Sequence, residues 1–182
     1  MHYHSNIILK NNQLLTIRHG EYSDGESVLI YFNKAHSETD YLLTYPEENT
    51  FTPEQEAAFL QKKAESENEI EILAFVDEKL AGSAGIESVG NKYKVRHRAE
   101  FGISILKEFW GMGVGRALTE ACILCARQAG YSQLELSAVA NNERALALYT
   151  SIGFTEFGRN PKGFLSRSSG YQELVSMRLD LK

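Results

Sequence analysis

An α/β fold follows from three features of this chain. Segments alternating apolar and polar residues, the pattern of half-buried strands, take turns with segments of helical period. A strand-like run, Glu100-Phe101-Gly102-Ile103-Ser104-Ile105, leads through a turn with Gly111, Gly113 and Gly115 directly into a helical pattern. At 182 residues the chain has the length of one domain, able to bury about 70% of its unfolded surface. The count is seven strands and four helices in the order strand, two helices, three strands, helix, strand, helix, two strands, within a single domain over residues 1–182.

The elements follow in chain order. The start, Met1 to Asn6, reads as a frayed end, with His2 and His4 not metal ligands. Gln13 to Arg18 alternates through Leu15 and Ile17 and reads as the first strand. Ser23-Asp24-Gly25-Glu26 opens a helix to about Ser37, with Val28, Leu29, Phe32 and Ala35 on one side. Thr39 to Thr50 is an irregular connector with Tyr41, Tyr45 and Pro46, either a surface loop or a wall of a substrate pocket. Thr52-Pro53-Glu54-Gln55 starts the second helix, since Thr52 can cap, Pro53 suits the first turn and Gln55 can reach back. That helix runs to about Ser66.

Glu69 to Val76 and Lys79 to Val89 form a hairpin across Asp77-Glu78, with Gly82 and Gly85 marking close backbone approach or a bulge. Gly90-Asn91-Lys92 turns the chain into the third strand of this meander, Arg96 to Ile105. The helix after the glycine turn runs from about Gly113 to Ala129, ended by Gly130. Gln133 to Val139 is a strand. Asn141 to Arg144 starts the fourth helix, which continues through Ala145, Leu148, Tyr149 and Ile152 to Gly153. Phe154 to Arg159 is a strand, Asn160-Pro161-Lys162-Gly163 breaks it, and Tyr171 to Leu181 is the last.

Composition narrows the function. Apolar residues at 43% and charged ones at 24% describe an ordinary globular protein. No apolar run reaches the ~20 residues of a membrane span. The first residues lack the basic and apolar regions of a signal peptide. The expectation is a cytoplasmic protein with no membrane partner. A formal net charge of −5 argues against a nucleic-acid partner, which favours a basic field. It is compatible with an amine substrate. Cys122 and Cys125 form a Cys-x-x-Cys, but they share an apolar helix face with Leu118 and Ala121, and no second pair completes a metal site. Buried thiols in a reducing compartment are expected, with no metal.

The glycine turn has the features of an anion cradle. Glycines permit positive φ and remove Cβ atoms, so N–H groups can converge on a phosphate, and the helix start adds unpaired donors. A dinucleotide fingerprint has Gly-x-Gly-x-x-Gly, whereas the spacing here is Gly-x-Gly-x-Gly. A triphosphate loop ends in Lys-Ser/Thr, whereas Arg116-Ala117 follows here. A glycine turn that opens a buried helix without any ligand is the remaining structural reading.

Two motifs carry a family resemblance. Trp110-Gly111-Met112-Gly113-Val114-Gly115 resembles the pyrophosphate loop of the Gcn5-related N-acetyltransferase (GNAT) family, Gln/Arg-x-x-Gly-x-Gly/Ala. Asn142-x-x-Ala145-x-x-x-Tyr149-x-x-x-Gly153-Phe154 resembles the family's following motif. Trp110 departs from the usual Gln or Arg, and a Trp-Gly pair here is similar to the branch containing ribosomal-protein N-terminal acetyltransferases. The departure costs one side-chain contact and leaves the backbone cradle.

The resemblance implies the acyl-CoA N-acyltransferase fold, a central mixed, mostly antiparallel sheet flanked by helices, with acetyl-CoA as cosubstrate and an amine acceptor, a small molecule or a peptide N-terminus. It implies that the N–H groups of Gly111, Met112, Gly113, Val114, Gly115 and Arg116 hold the pyrophosphate. The strand around Ser104 would offer edge groups of Ile103 and Ile105 to the pantetheine amides. Asn142 would hydrogen-bond the pantetheine arm or cap its helix, and both roles are compatible. Tyr149 would be the general acid for the leaving thiolate, or a packed helix tyrosine. Glu100 would be the general base for the incoming ammonium, or a partner of Arg96 or Arg98. The acetyl group would pass to the amine by direct attack in a ternary complex. The competing function is a non-catalytic CoA-binding sensor or interaction domain. Exposed strand edges near the C-terminus offer a surface for a homodimer.

Overall fold

The hairpin read from the sequence is the centre of the observed sheet. β3 (Ile70–Val76) and β4 (Lys79–Ser88) pair antiparallel across Asp77 and Glu78, which take φ of 45° and 69°. Two successive left-handed residues make the turn that matches strand twist. In this computed structural model, which describes residues 1–181, the hairpin extends on both sides into eight strands. β1 (His4–Ile8) and β2 (Leu14–His19) lie on one side, in the order β1-β2-β3-β4. β5 (Arg98–Ile105), β6 (Gln133–Val139), β8 (Gly170–Asp180) and β7 (Thr155–Ser166) follow on the other. Every pairing is antiparallel except β5 with β6.

That exception shapes the protein. The parallel register holds only from Arg98 opposite Gln133 to Glu100 opposite Glu135. Beyond Glu100 the strands part, while β6 stays paired to β8 as far as Val139 opposite Leu174. A wedge therefore opens beside the second half of β5. On its other edge β5 remains paired to β4 through Ile105. The Leu106 N–H reaches the Ala81 carbonyl and the Val89 N–H reaches the Arg98 carbonyl. Antiparallel alternation then turns the main-chain groups of Gly102 and Ser104 toward β4, and those of Ile103 and Ile105 toward the wedge.

Among the described residues, four α-helices cover the sheet. α1 (Gly25–Glu38) and α2 (Pro53–Glu65) lie on one face, where the Tyr31 hydroxyl reaches Ser104 and the Lys63 ammonium reaches Glu87. Thr52 caps α2 with the reciprocal Gln55 bond that its sequence predicts. α3 (Val114–Gln128) packs on the other face. Its Val114, Leu118, Cys122, Cys125 and Ala126 are fully buried, and a side chain the size of Leu118 contributes about 1.5–3 kcal/mol by leaving water. α4 (Glu143–Ile152) stands beside α3, with Gly115 packed close to both Leu148 and Ile105.

The structure corrects three expectations. The described residues form eight strands, because the presumed frayed start is β1, paired to β2 from His4 opposite Arg18 to Ile8 opposite Leu14. The terminal ammonium is itself tied down, donating to the Ala64 carbonyl at 2.7 Å. The third strand of the meander begins at Arg98, because residues 93–97 form a turn closed by the Val95 and Arg96 N–H groups on the Lys92 carbonyl. Asn160 to Gly163 does not end β7; the strand absorbs these residues as a register shift between Asn160 and Phe164. Among the described residues, no helix is long and apolar enough to cross a membrane.

Candidate active site

The glycine turn sits at the open end of the wedge. Gly111 and Gly113 take φ of 83° and 98°, a conformation that a side chain would strain, and Gly113 is the N-cap of α3. The N–H groups of Gly111, Met112 and Gly113 find no main-chain acceptor among the described residues. Those of Val114, Gly115 and Arg116 belong to the first helical turn, which has no intrahelical acceptor. Six donors thus stand at the positive end of a helix dipole, as a doubly charged anion requires.

A cavity of about 610 Å³ runs from this turn along β5. Its lining includes Lys10, Arg116 and Arg144 beside Ile103, Ile105 and Trp110. Arg116 is steadied by Ser151 at 2.6 Å, and Arg144 stacks over the Trp110 ring at 5.4 Å. Lys10 and Arg144 had no signal in the sequence beyond charge. Arg144 occupies a variable place inside the Asn142-x-x-Ala145 motif, and Lys10 arrives only because β1 and the turn after it close over the slot.

A second cavity, of about 730 Å³, lies under α1 and α2. The two share seven lining residues, among them Tyr41, Ile103, Ser104, Asn142 and Tyr149, so they meet at the splay. Their charges are opposite. The second cavity is lined by Glu48, Glu56, Glu71, Glu87 and Glu100, with neither Lys nor Arg among the described lining residues. The connector Thr39 to Thr50 supplies Tyr41, Leu43, Glu48 and others to its wall, the pocket-lining alternative of its two readings.

Each sequence-derived site residue now has a position. Tyr149 is 6% exposed and packs edge-on against Phe101, with ring centres 6.2 Å apart, and against Phe154. Its hydroxyl has no hydrogen-bond partner among the described residues, and its burial pushes the phenol up to about 12. It is both a packed tyrosine and part of the junction between the cavities. Asn142 caps α4 through Oδ1, which accepts the Ala145 N–H at 3.3 Å, while its Nδ2 donates to no described residue. Ile103 and Ile105 face the wedge, but the Ile105 carbonyl already accepts the Trp110 indole N–H at 2.8 Å. Ser104 turns its main chain to β4, and its Oγ lies 2.7 Å from the Tyr31 hydroxyl.

Glu100 is exposed on the cavity floor, opposite Glu87 on one side and Glu135 on the other. Arg98 is not its partner; that guanidinium grips Glu135 at both Nε and Nη2 and holds the Glu135 carboxyl below its ordinary range. Glu56 and Glu71 were absent from the sequence reading. Glu71 pairs across the hairpin with Gly85, where a Cβ would run into its carboxylate. Cys122 and Cys125 are buried on α3, and burial pushes both thiols up.

A donor-lined turn, a splayed parallel pair and two cavities of opposite charge that meet beside Tyr149 define an acyl-CoA-dependent transferase fold. The chain belongs to the acetyltransferase (GNAT) family, whose sequence pattern matches residues 35–154. An acetyltransferase of that family from Streptococcus pneumoniae superposes with a TM-score of 0.87 at 30% identity, over 91% of this chain and 99% of that one. A Salmonella typhimurium structure solved with its cofactor acetyl-CoA superposes at 0.81 and 20% identity, over 92% and 94%, a likeness of fold. A mycothiol acetyltransferase from Jonesia denitrificans is 50% identical over 50 residues, 28% of this chain and 16% of that protein. The chain spans less than half the length of the curated relatives it matches.

Proposed function

We propose that residues 1–182 form one domain that transfers the acetyl group of acetyl-CoA to a primary amine, the amine attacking directly within a ternary complex. The observation that carries this reading is the meeting of a cationic, donor-lined slot with an anionic cavity at Tyr149 and Asn142. Acetyl-CoA, when bound, supplies the activated acetyl carbon. The N–H groups of Gly111 to Arg116 bind its pyrophosphate, with Arg144 and Lys10 adding charge. Ile103 presents its main-chain N–H and carbonyl to the pantetheine amides, and Ile105 its N–H, in the manner of an added strand. The free Nδ2 of Asn142 donates to the same arm.

On the other side, carboxylates lining the anionic cavity attract the ammonium form of the acceptor. Glu100 takes its proton, directly or through water, so that nitrogen has a lone pair for attack. Tyr149 keeps its proton at neutral pH because burial holds its phenol near 12, and it delivers that proton to the departing sulfur. Holding both reactants in one wedge makes the transfer effectively unimolecular.

The test is thiol release from acetyl-CoA across a panel of primary amines, with product mass confirming acetylation. Turnover with at least one amine class is expected. Saturable acetyl-CoA binding with no thiol release across the panel would replace this reading by that of a CoA-binding sensor.

A further inference from the structure

The anionic cavity is built for more charge than one amine carries. Glu56 on α2 is 8% exposed, lines the cavity, and has no hydrogen-bond or ion-pair partner for its carboxylate among the described residues. An unpartnered buried carboxylate is costly unless a cation arrives to meet it. Glu71 lies close by on β3. Its carboxyl accepts the Ser83 hydroxyl and lines the same cavity; burial pushes it up to about 7, and the neighbouring Glu56 and Glu87 add to that. The nearest cation, Lys63, is already bound to Glu69 at 3.0 Å and Glu87 at 2.7 Å. Among the described residues no three acidic, His or Cys side chains converge as metal ligands, which favours an organic cation.

The floor has a matching shape. Gly85 and Gly102 face each other on β4 and β5, in register with Glu71 on β3. The Glu71 carboxylate occupies the space a Cβ would take at Gly85, and the open space over Gly102 carries a trough on toward Ser104 and Tyr149. Two strand spacings, about 10 Å, separate β5 from β3. Val28, Phe32, Phe59 and Phe101 give the trough apolar walls.

We infer that the acceptor is an aliphatic di- or polyamine, whose far ammonium is received by Glu56 and Glu71 while its near nitrogen stands at Tyr149. This rests on the transferase reading and adds a substrate class to it. The two carboxylates are specificity-determining groups, remote from the reacting atoms.

The experiment is calorimetric titration of the CoA-saturated protein with 1,4-diaminobutane, spermidine and 1-aminobutane, paired with kcat/KM for the same amines. Binding of the diamine or spermidine at least tenfold tighter than the monoamine is expected, with kcat/KM ordered the same way. In the Glu56→Gln/Glu71→Gln double variant the ratio falls toward one, and an acetyl-CoA titration of that variant reports whether it is folded. Equal binding of mono- and diamine by the unsubstituted protein overturns the inference. So does a lysine-containing peptide that outcompetes the diamine. Tight diamine binding without any thiol release keeps the cation site and sinks the transferase reading. Thiol release indifferent to the second charge sinks the cation site alone.

Discussion

The indole Nε1 of Trp110 donates to the main-chain carbonyl of Ile105 at 2.8 Å. This bond ties the start of the glycine turn to the free edge of β5, so the two places proposed to hold the cofactor are fixed relative to each other. A Gln or Arg, usual at this place in the family, would reach the ligand instead. Here Trp110 works through the scaffold, with Lys107 at 5.9 Å and Arg144 at 5.4 Å from its ring. Replacing it by Phe keeps the ring and removes the donor. Acetyl-CoA affinity is expected to fall about fivefold, the worth of one neutral hydrogen bond of about 1 kcal/mol. Calorimetry checks this; unchanged affinity would mean that the bond does not order the turn.

Tyr149→Phe separates chemistry from binding. The hydroxyl has no hydrogen-bond partner among the described residues and is held near 12 by burial, so its loss leaves the packing with Phe101 and Phe154 in place. Turnover is expected to fall about 100-fold or more, the contribution of a positioned acid, with acetyl-CoA affinity nearly unchanged. Because the phenol is raised, its ionisation removes no activity below about pH 11. Undiminished turnover in the variant would take Tyr149 out of the mechanism.

Glu71 makes stability depend on pH in a defined direction. Burial raises its carboxyl from the ordinary 4.5 to about 7, so between those values the folded protein holds a proton that the unfolded chain has released. Its contribution is therefore fully present below about pH 4.5 and is lost as pH rises through 7. Glu71→Gln, which still accepts from Ser83, is expected to resist denaturant better than the parent above pH 7, with the difference shrinking toward pH 5. Urea titrations at several pH values measure it; parallel curves for the two proteins would contradict the burial of this carboxyl.

Cys122 and Cys125 lie on the buried face of α3, with thiols raised by burial, Cys125 to about 11. The thiolate is the reactive form. Native protein is expected to react with a thiol reagent at least about 100-fold more slowly than the same protein in denaturant. Fast native labelling of either residue would expose α3 as mispacked.

The legible part of the fold was local. The hairpin, the capped start of α2 and the run from Glu100 through the glycine turn into α3 are each specified by neighbours in sequence, and all stand where their residues place them. β1 was not legible because His4-Ser5-Asn6 lacks an apolar alternation; its order comes from β2 and from the bonds of the Met1 ammonium to α2 and the residue after it. The donor-lined slot proposed for the cofactor was readable in outline, since main-chain donors depend on glycines that a sequence displays. The anionic cavity proposed for the acceptor was not. Glu56, Glu71 and Glu100 stand on three different elements, and only the cross-strand register and the packing of α2 bring them to one space.

The central claim is that the main chain from Gly111 to Arg116, with the free edge of β5, receives the cofactor. Backbone amide resonances followed during titration with CoA test this most directly. The account predicts that the largest shifts fall on Gly111 to Arg116, Ile103 and Ile105, saturating together. Saturable shifts centred elsewhere, with these amides unmoved, would contradict it.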